Sequence, residues 1–255
     1  MLIDTHAHLD FSDFDADRAR VFEQMRERGI MSALLPGVSP AHWSQQIAIA
    51  KQYDCYFGLG IHPWYCQTDI DAALQALDTL MTQYHDDPKW VAVGECGLDK
   101  LREDTWPLQI PYLTHQLKLA HQYNKPVILH AVKAHQEMLS LLSQMPLARA
   151  GVVHGFTGSI ELAKSYLKLG FKLGIGGVLL NENAKKLHET VAKLPLDSFV
   201  LETDSPSMRP MNAVEKRNTP LIIVQIIAKM ADLQKKSNVL ISERLCANAM
   251  QLFDL

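Results

Sequence analysis

Eight short apolar runs recur along the chain, each followed by a stretch whose apolar residues return every three or four positions. The runs are Leu2 to Ile3, Ile30 to Leu35, Cys55 to Ile61, Trp90 to Val93, Pro126 to Leu129, Gly151 to Val153, Phe171 to Ile175 and Phe199 to Leu201. Asp15 to Gly29, Pro40 to Tyr53, Asp69 to His85, Leu108 to Tyr123, Lys133 to Gln144, Ile160 to Leu169 and Glu182 to Lys193 read as helices between them. Pro220 to Leu233 and Ser242 to Phe253 read as two closing helices. Strands separated by helices pair in parallel, because a parallel neighbour is reached only through a crossover. Eight such units in 255 residues predict closure into a (β/α)8 TIM barrel, with residues 1–255 as one domain. The alternative is a doubly wound open sheet. It would place a glycine-rich nucleotide loop after a strand, and no strand-to-helix turn carries GxGxxG or a P-loop.

In a parallel barrel the carboxyl ends of the strands open onto one rim, where catalytic groups collect. The residues at those ends are therefore the second constraint. Residues two apart in an extended chain point the same way, so His6 and His8 present two imidazoles side by side. His62, Glu95, His130, His154 and Asp204 stand where later runs stop, and all are metal-ligand or acid–base types. His42, His85, His115, His121, His135 and His188 fall in helices or at helix ends and are read as structural. Seven groups exceed what one ion needs, which predicts two divalent ions, Zn, Mn or Mg, bridged by Glu95. His6, His8 and Asp204, from the first and last strands, would hold one ion; His130 and His154 would hold the other.

Bulk properties narrow the classes. With 47% apolar and 21% charged residues the chain can bury a large core. A net charge of −3 gives no broad basic field, so any nucleic-acid contact is local. Cys55, Cys66, Cys96 and Cys246 form no CxxC pair and are expected to be reduced thiols. No stretch approaches the ~20 apolar residues of a membrane span, and the amino terminus lacks the pattern of a signal peptide; a cytoplasmic location is expected. The aperiodic segment Ser207 to Thr219 is expected to be a loop on the active side.

The motifs taken together resemble the TatD family of metal-dependent deoxyribonucleases, within the amidohydrolase-like barrels. The resemblance rests on Asp4-Thr5-His6-Ala7-His8-Leu9-Asp10, Gly60-Ile61-His62-Pro63, Gly94-Glu95-Cys96-Gly97-Leu98-Asp99 and Pro126-Val127-Ile128-Leu129-His130. It continues through His154-Gly155-Phe156-Thr157-Gly158, Glu202-Thr203-Asp204-Ser205-Pro206, Arg217-Asn218-Thr219-Pro220 and Asn248-Ala249-Met250-Gln251-Leu252-Phe253. It implies His6, His8, Glu95 and Asp204 on one metal, Glu95, His130 and His154 on the other, and His62 on the substrate phosphate. Cleavage of DNA phosphodiesters, often from the 3′ end, is the implied activity. Two departures stand out: Lys100-Leu101 where the family commonly carries aromatic residues, and Val132-Lys133 where it commonly carries an arginine. A lysine offers a point charge where a guanidinium would fork onto phosphate.

The expected function is thus phosphoester hydrolysis of DNA or a small phosphoester, with Asp204 and Glu95 as catalytic residues. Asp204 would orient the attacking water or take its proton. His62, Lys133, Arg209 and Arg217 would bind phosphate. Cys96, beside Glu95, has no base assigned to it and is read as packing. No membrane and no obligatory protein partner is expected. A metal-dependent amidase, lactonase or deaminase and a barrel without catalysis are the competing classes.

Overall fold

In the computed structural model, which describes residues 1–211, 213 and 216–255, each apolar run forms a strand that pairs in parallel with the next. The strands are β1 (Leu2–Asp4), β2 (Ile30–Leu35), β3 (Tyr56–Leu59), β4 (Trp90–Asp99), β5 (Val127–Val132), β6 (Gly151–Val153), β7 (Lys172–Ile175) and β8 (Phe199–Leu201), in sequence order across the sheet. The last strand returns to the first. Thr5 donates its N–H to the Leu201 carbonyl at 3.0 Å, Asp204 donates to the His6 carbonyl at 2.8 Å, and Ala7 and Ser205 form a parallel bridge. These bonds close the TIM barrel that the alternation predicts. Outside it run α1 (Arg18–Glu27), α2 (Trp43–Gln52), α3 (Ile70–Gln83), α4 (Trp106–Gln122), α5 (His135–Gln144), α6 (Ile160–Lys168), α7 (Lys185–Lys193), α8 (Ile223–Gln234) and α9 (Asn238–Phe253). Among the described residues, no helix is long and apolar enough to cross a membrane.

Side-chain alternation explains how the barrel is filled. Leu34, Ala92, Ile128, Val152 and Val200 form one buried cluster. Their neighbours Leu35, Val93, Leu129, Val153 and Leu201 belong to another, with helix residues such as Leu77, Leu117 and Leu142. Successive residues point to opposite faces, so the first set fills the barrel and the second faces the helices. The last turn of α9 adds Leu252 and Phe253 to the inner cluster. Arg149, just before β6, donates to the Leu252 carbonyl at 2.8 Å, so α9 ends beneath the amino ends of the strands. Burial of each such Leu or Phe contributes roughly 1.5–3 kcal/mol. With that end plugged by apolar side chains, polar residues have the opposite end to themselves.

One expected boundary is wrong in a way that matters. β4 does not stop at Val93; it continues through Glu95 to Asp99, pairing Cys96 with Leu129, Gly97 with His130, Leu98 with Ala131 and Asp99 with Val132. β5 likewise runs past His130 to Val132. Glu95 and His130 therefore lie inside strands rather than beyond them. The apolar run breaks where glycine and charge enter, but the backbone ladder does not need apolar side chains. Gly97, at φ +155°, is required by this pairing, since a Cβ there would run into the His130 carbonyl. The segment 207–219 divides: Ser207 and Met208 border the cavity at the carboxyl ends, whereas 209, 210, 213 and 216–219 border a separate cleft against α1. Positions 212, 214 and 215 of that expected loop lie outside the described residues.

Candidate metal centre

The same alternation that fills the barrel aims the polar residues. His130 lies two residues beyond Ile128 and His154 two beyond Val152, so both continue the inward-facing rows to the open end. Glu202 and Asp204 extend the row of Val200, and Asp204 takes a left-handed conformation, φ +56°, which aspartate tolerates. His6, His8, His62, Glu95, His130, His154 and Asp204 are all buried to 9% exposure or less. All seven converge on one site.

The distances are those of ligand atoms around a cation. His6 Nε2 stands 3.3 Å from His8 Nε2, 3.1 Å from Glu95 Oε2 and 3.4 Å from Asp204 Oδ1. His8 Nε2 is 3.5 Å from both Glu95 Oε2 and Asp204 Oδ1. Around a tetrahedral ion with ligands at about 2.0–2.1 Å, neighbouring ligand atoms stand about 3.3–3.5 Å apart. On the far side of the same carboxylate, Glu95 Oε1 is 2.8 Å from His154 Nε2, 3.0 Å from His130 Nδ1 and 3.2 Å from His62 Nε2. His130 Nδ1 and His154 Nε2 are 3.1 Å apart. Two imidazole nitrogens so close share at most one proton, and a cation satisfies both lone pairs where a proton satisfies one. The residues present fit divalent metal, and the triads His6–His8–Asp204 and His6–Glu95–His154 are each compact enough to hold an ion.

Charge follows the geometry. Burial disfavours an ionised Glu95, yet the imidazoles of His154, His62 and His6 hold it well below the usual carboxylate range. Asp204 is likewise held down against burial by its hydrogen bond from His8 and by the nearby His6 and His154. Burial pushes His6 down to about 4, helped by His154. Against the same burial, Asp204 and Glu95 raise His8 to about 10, and Glu95 raises His154 to about 9.

His62 differs from the others. Its Nδ1 accepts the Trp64 N–H at 3.2 Å, and burial pushes its pKa down to about 4. A neutral ring that accepts at Nδ1 carries its proton on Nε2. His62 therefore presents an N–H toward Glu95 and the cavity, as a hydrogen-bond donor rather than a lone pair.

The site opens into a cavity of about 600 Å³ whose wall includes Phe11, Trp64, Tyr65 and Lys133. Among the described residues, Lys133 is the one lysine or arginine on that wall. Arg209 and Arg217, expected to bind phosphate, are not brought there. They border the cleft of about 760 Å³ against α1. Arg217 is committed to that helix's approach: it donates to the Asp13 carbonyl, pairs with Asp17 Oδ1 at 2.5 Å and lies over the Phe14 ring at 4.3 Å.

Two residues beside the site were not singled out by sequence reasoning. Asp99 accepts from Trp64 Nε1 at 2.6 Å and stands 3.2 Å from His130 Nε2. His135, read as structural, borders the cavity while its Nδ1 meets the Tyr166 hydroxyl at 2.9 Å. The one available signal for Asp99 was that the Gly94 to Asp99 motif ends on a second carboxylate.

The chain is similar to known proteins over its whole length. A family model described as TatD related DNase matches residues 3–254. The chain is 35% identical over 256 residues to the uncharacterized metal-dependent hydrolase YjjV of Escherichia coli, covering 99% of this chain and 98% of that one. It is 30% identical over 263 residues to the 3′-5′ ssDNA/RNA exonuclease TatD of Erwinia tasmaniensis, covering 100% of both. The crystal structure of Escherichia coli YjjV superposes with a TM-score of 0.94 at 34% identity, covering 100% of this chain and 98% of that one.

Proposed function

Because the chain belongs to the TatD-related DNase family of metal-dependent hydrolases, we propose that it is a nuclease trimming single-stranded nucleic acid by phosphodiester hydrolysis at a two-metal site. The observation that carries this reading is the double role of Glu95, whose Oε2 faces His6 and His8 while its Oε1 faces His130 and His154. His6, His8, Asp204 and Glu95 would hold one divalent ion, and Glu95, His130 and His154 the other. When bound, such ions supply Lewis acidity and make water acidic enough to react near neutral pH.

The chain's own groups do the rest. Asp204, the most open of the ring with its side chain 12% exposed, borders the cavity and accepts the proton of the attacking water. His62 donates Nε2–H to a phosphoryl oxygen, and Lys133 adds a positive charge at the mouth. Trp64 and Tyr65, 46% and 36% exposed, offer flat faces on which a base can stack. The wall with one cation favours a terminal nucleotide over a long run of phosphates. That same observation supports a second reading, hydrolysis of a small ester or amide.

The test is an assay of 3′- and 5′-labelled single-stranded oligonucleotides with Mn²⁺, Mg²⁺ or Zn²⁺. Stepwise loss from the 3′ end, abolished by chelation and in Asp204→Asn, is expected. No nucleotide release, with turnover of small esters or amides, would overturn the nuclease reading.

A further inference from the structure

Asp99 closes β4 and is buried at 2% exposure. Its backbone is clamped by the fully buried Gln109, which accepts the Asp99 N–H at 2.7 Å and donates to its carbonyl at 3.0 Å. Its side chain is fixed as firmly. Oδ1 accepts the Leu101 N–H at 2.9 Å, and Oδ2 accepts the Trp64 indole N–H at 2.6 Å. The same Oδ2 stands 3.2 Å from His130 Nε2. A carboxylate there holds a proton on Nε2 and leaves the Nδ1 lone pair facing Glu95 and His154.

Trp64 stands at the other end of this chain of bonds. It borders the cavity and is 46% exposed, although its N–H is sunk against Asp99. The Arg102 guanidinium lies 5.2 Å from its ring centroid, and the His62 ring lies edge-on at 5.3 Å. One indole thus touches the space a substrate would enter and the carboxylate that orients a candidate metal ligand.

We propose that Trp64 and Asp99 form a positioning unit for His130, through which the cavity wall sets how that imidazole faces the metal pair. Asp99 fixes which nitrogen turns inward, and Trp64 fixes Asp99. The inference rests on the two-metal reading given above. Neither residue touches the reacting atoms, so both are positioning residues. A substrate ring seated on Trp64 bears on the unit from outside.

The test is calorimetric titration of the metal-free full-length protein with Mn²⁺, for wild type, Asp99→Asn and Trp64→Phe. Trp64→Phe keeps a flat ring and removes only the N–H donor. Wild type is expected to take up two ions. Asp99→Asn should weaken one of them about 10–100-fold, leaving the other within about twofold. Trp64→Phe should weaken the same ion about 2–10-fold, the effect of one lost hydrogen bond. Its metal-free melting midpoint should fall by no more than a few degrees, and kcat should fall with little change in KM. In the zinc-loaded wild type, the ¹⁵N spectrum should show the His130 proton on Nε2. Two ions bound unchanged in both variants, or both ions weakened alike with a lowered melting midpoint, would overturn the positioning unit alone. A His130 proton on Nδ1 would also overturn it. A wild type that takes up fewer than two ions overturns the two-metal reading and the inference with it.

Discussion

Thr203 donates its hydroxyl to Asp4 Oδ2 at 2.5 Å across the seam where the last strand meets the first, and both residues are buried. The Thr203 and His6 N–H groups donate to the other oxygen, at 3.0 and 3.2 Å. Burial pushes Asp4 up to about 7 despite these bonds. His6, bonded through its own N–H to Asp4, and Asp204, next along the chain to Thr203, are thereby held in register.

Replacing Thr203 with valine keeps the shape and removes the donor. An oxygen of Asp4 and the Ser205 hydroxyl, 2.7 Å from Thr203 Oγ1, then lose a partner. The expected cost is about 1–3 kcal/mol, read in urea unfolding of the metal-free protein as a lower midpoint with an unchanged slope.

Lys133 and Arg217 separate two roles that the sequence does not distinguish. Lys133→Ala should raise KM for a phosphodiester about tenfold or more, the loss of one charge-assisted contact, with metal uptake unchanged. Arg217→Ala should leave KM unchanged and lower stability by about 1 kcal/mol, through the lost Phe14 stacking and Asp17 pair. Kinetics on a labelled dinucleotide and thermal melting check both.

The contrast shows where sequence reading stops. The barrel and the convergence of the seven groups were legible because period-two alternation and strand ends are local signals, and a parallel barrel collects those ends. The approach of Arg217 to Asp13 and Asp17 was not, because it joins the two ends of the chain and no local spacing encodes it. Asp99 escaped for another reason. It stands near His130 only because β4 runs on beyond Glu95 in register with β5, and glycine and charge in that stretch hide the strand from an apolar pattern.

The cysteines test the absence of thiol chemistry. Burial pushes Cys55 up to about 11, Cys66 up to about 12, and Cys96 up further, where the nearby Glu95 charge adds to the effect. A raised pKa means less thiolate at a given pH, so at pH 8 these three should resist a disulfide reagent in the native protein. Labelling should quicken about tenfold per pH unit above that, while the native state holds. All four thiols should react in denaturant, and Cys96→Ala should keep metal uptake. Rapid native labelling of Cys96 at pH 8 would contradict this.

Glu95→Gln addresses the shared carboxylate. If one side chain serves both halves of the site, the variant should lose both ions on dialysis, whereas Asp204→Asn should weaken only the ion held with His6 and His8. Elemental analysis of the dialysed proteins distinguishes the patterns; loss of a single ion from Glu95→Gln would argue that the halves are independent.

The most direct measurement is anomalous X-ray scattering from crystals of the manganese- or zinc-loaded protein. Two peaks are predicted, about 3.5–4 Å apart, one on each oxygen of Glu95, with His6, His8 and Asp204 around the first and His130 and His154 around the second. A single peak, or peaks that leave the Glu95 carboxylate untouched, would contradict the account.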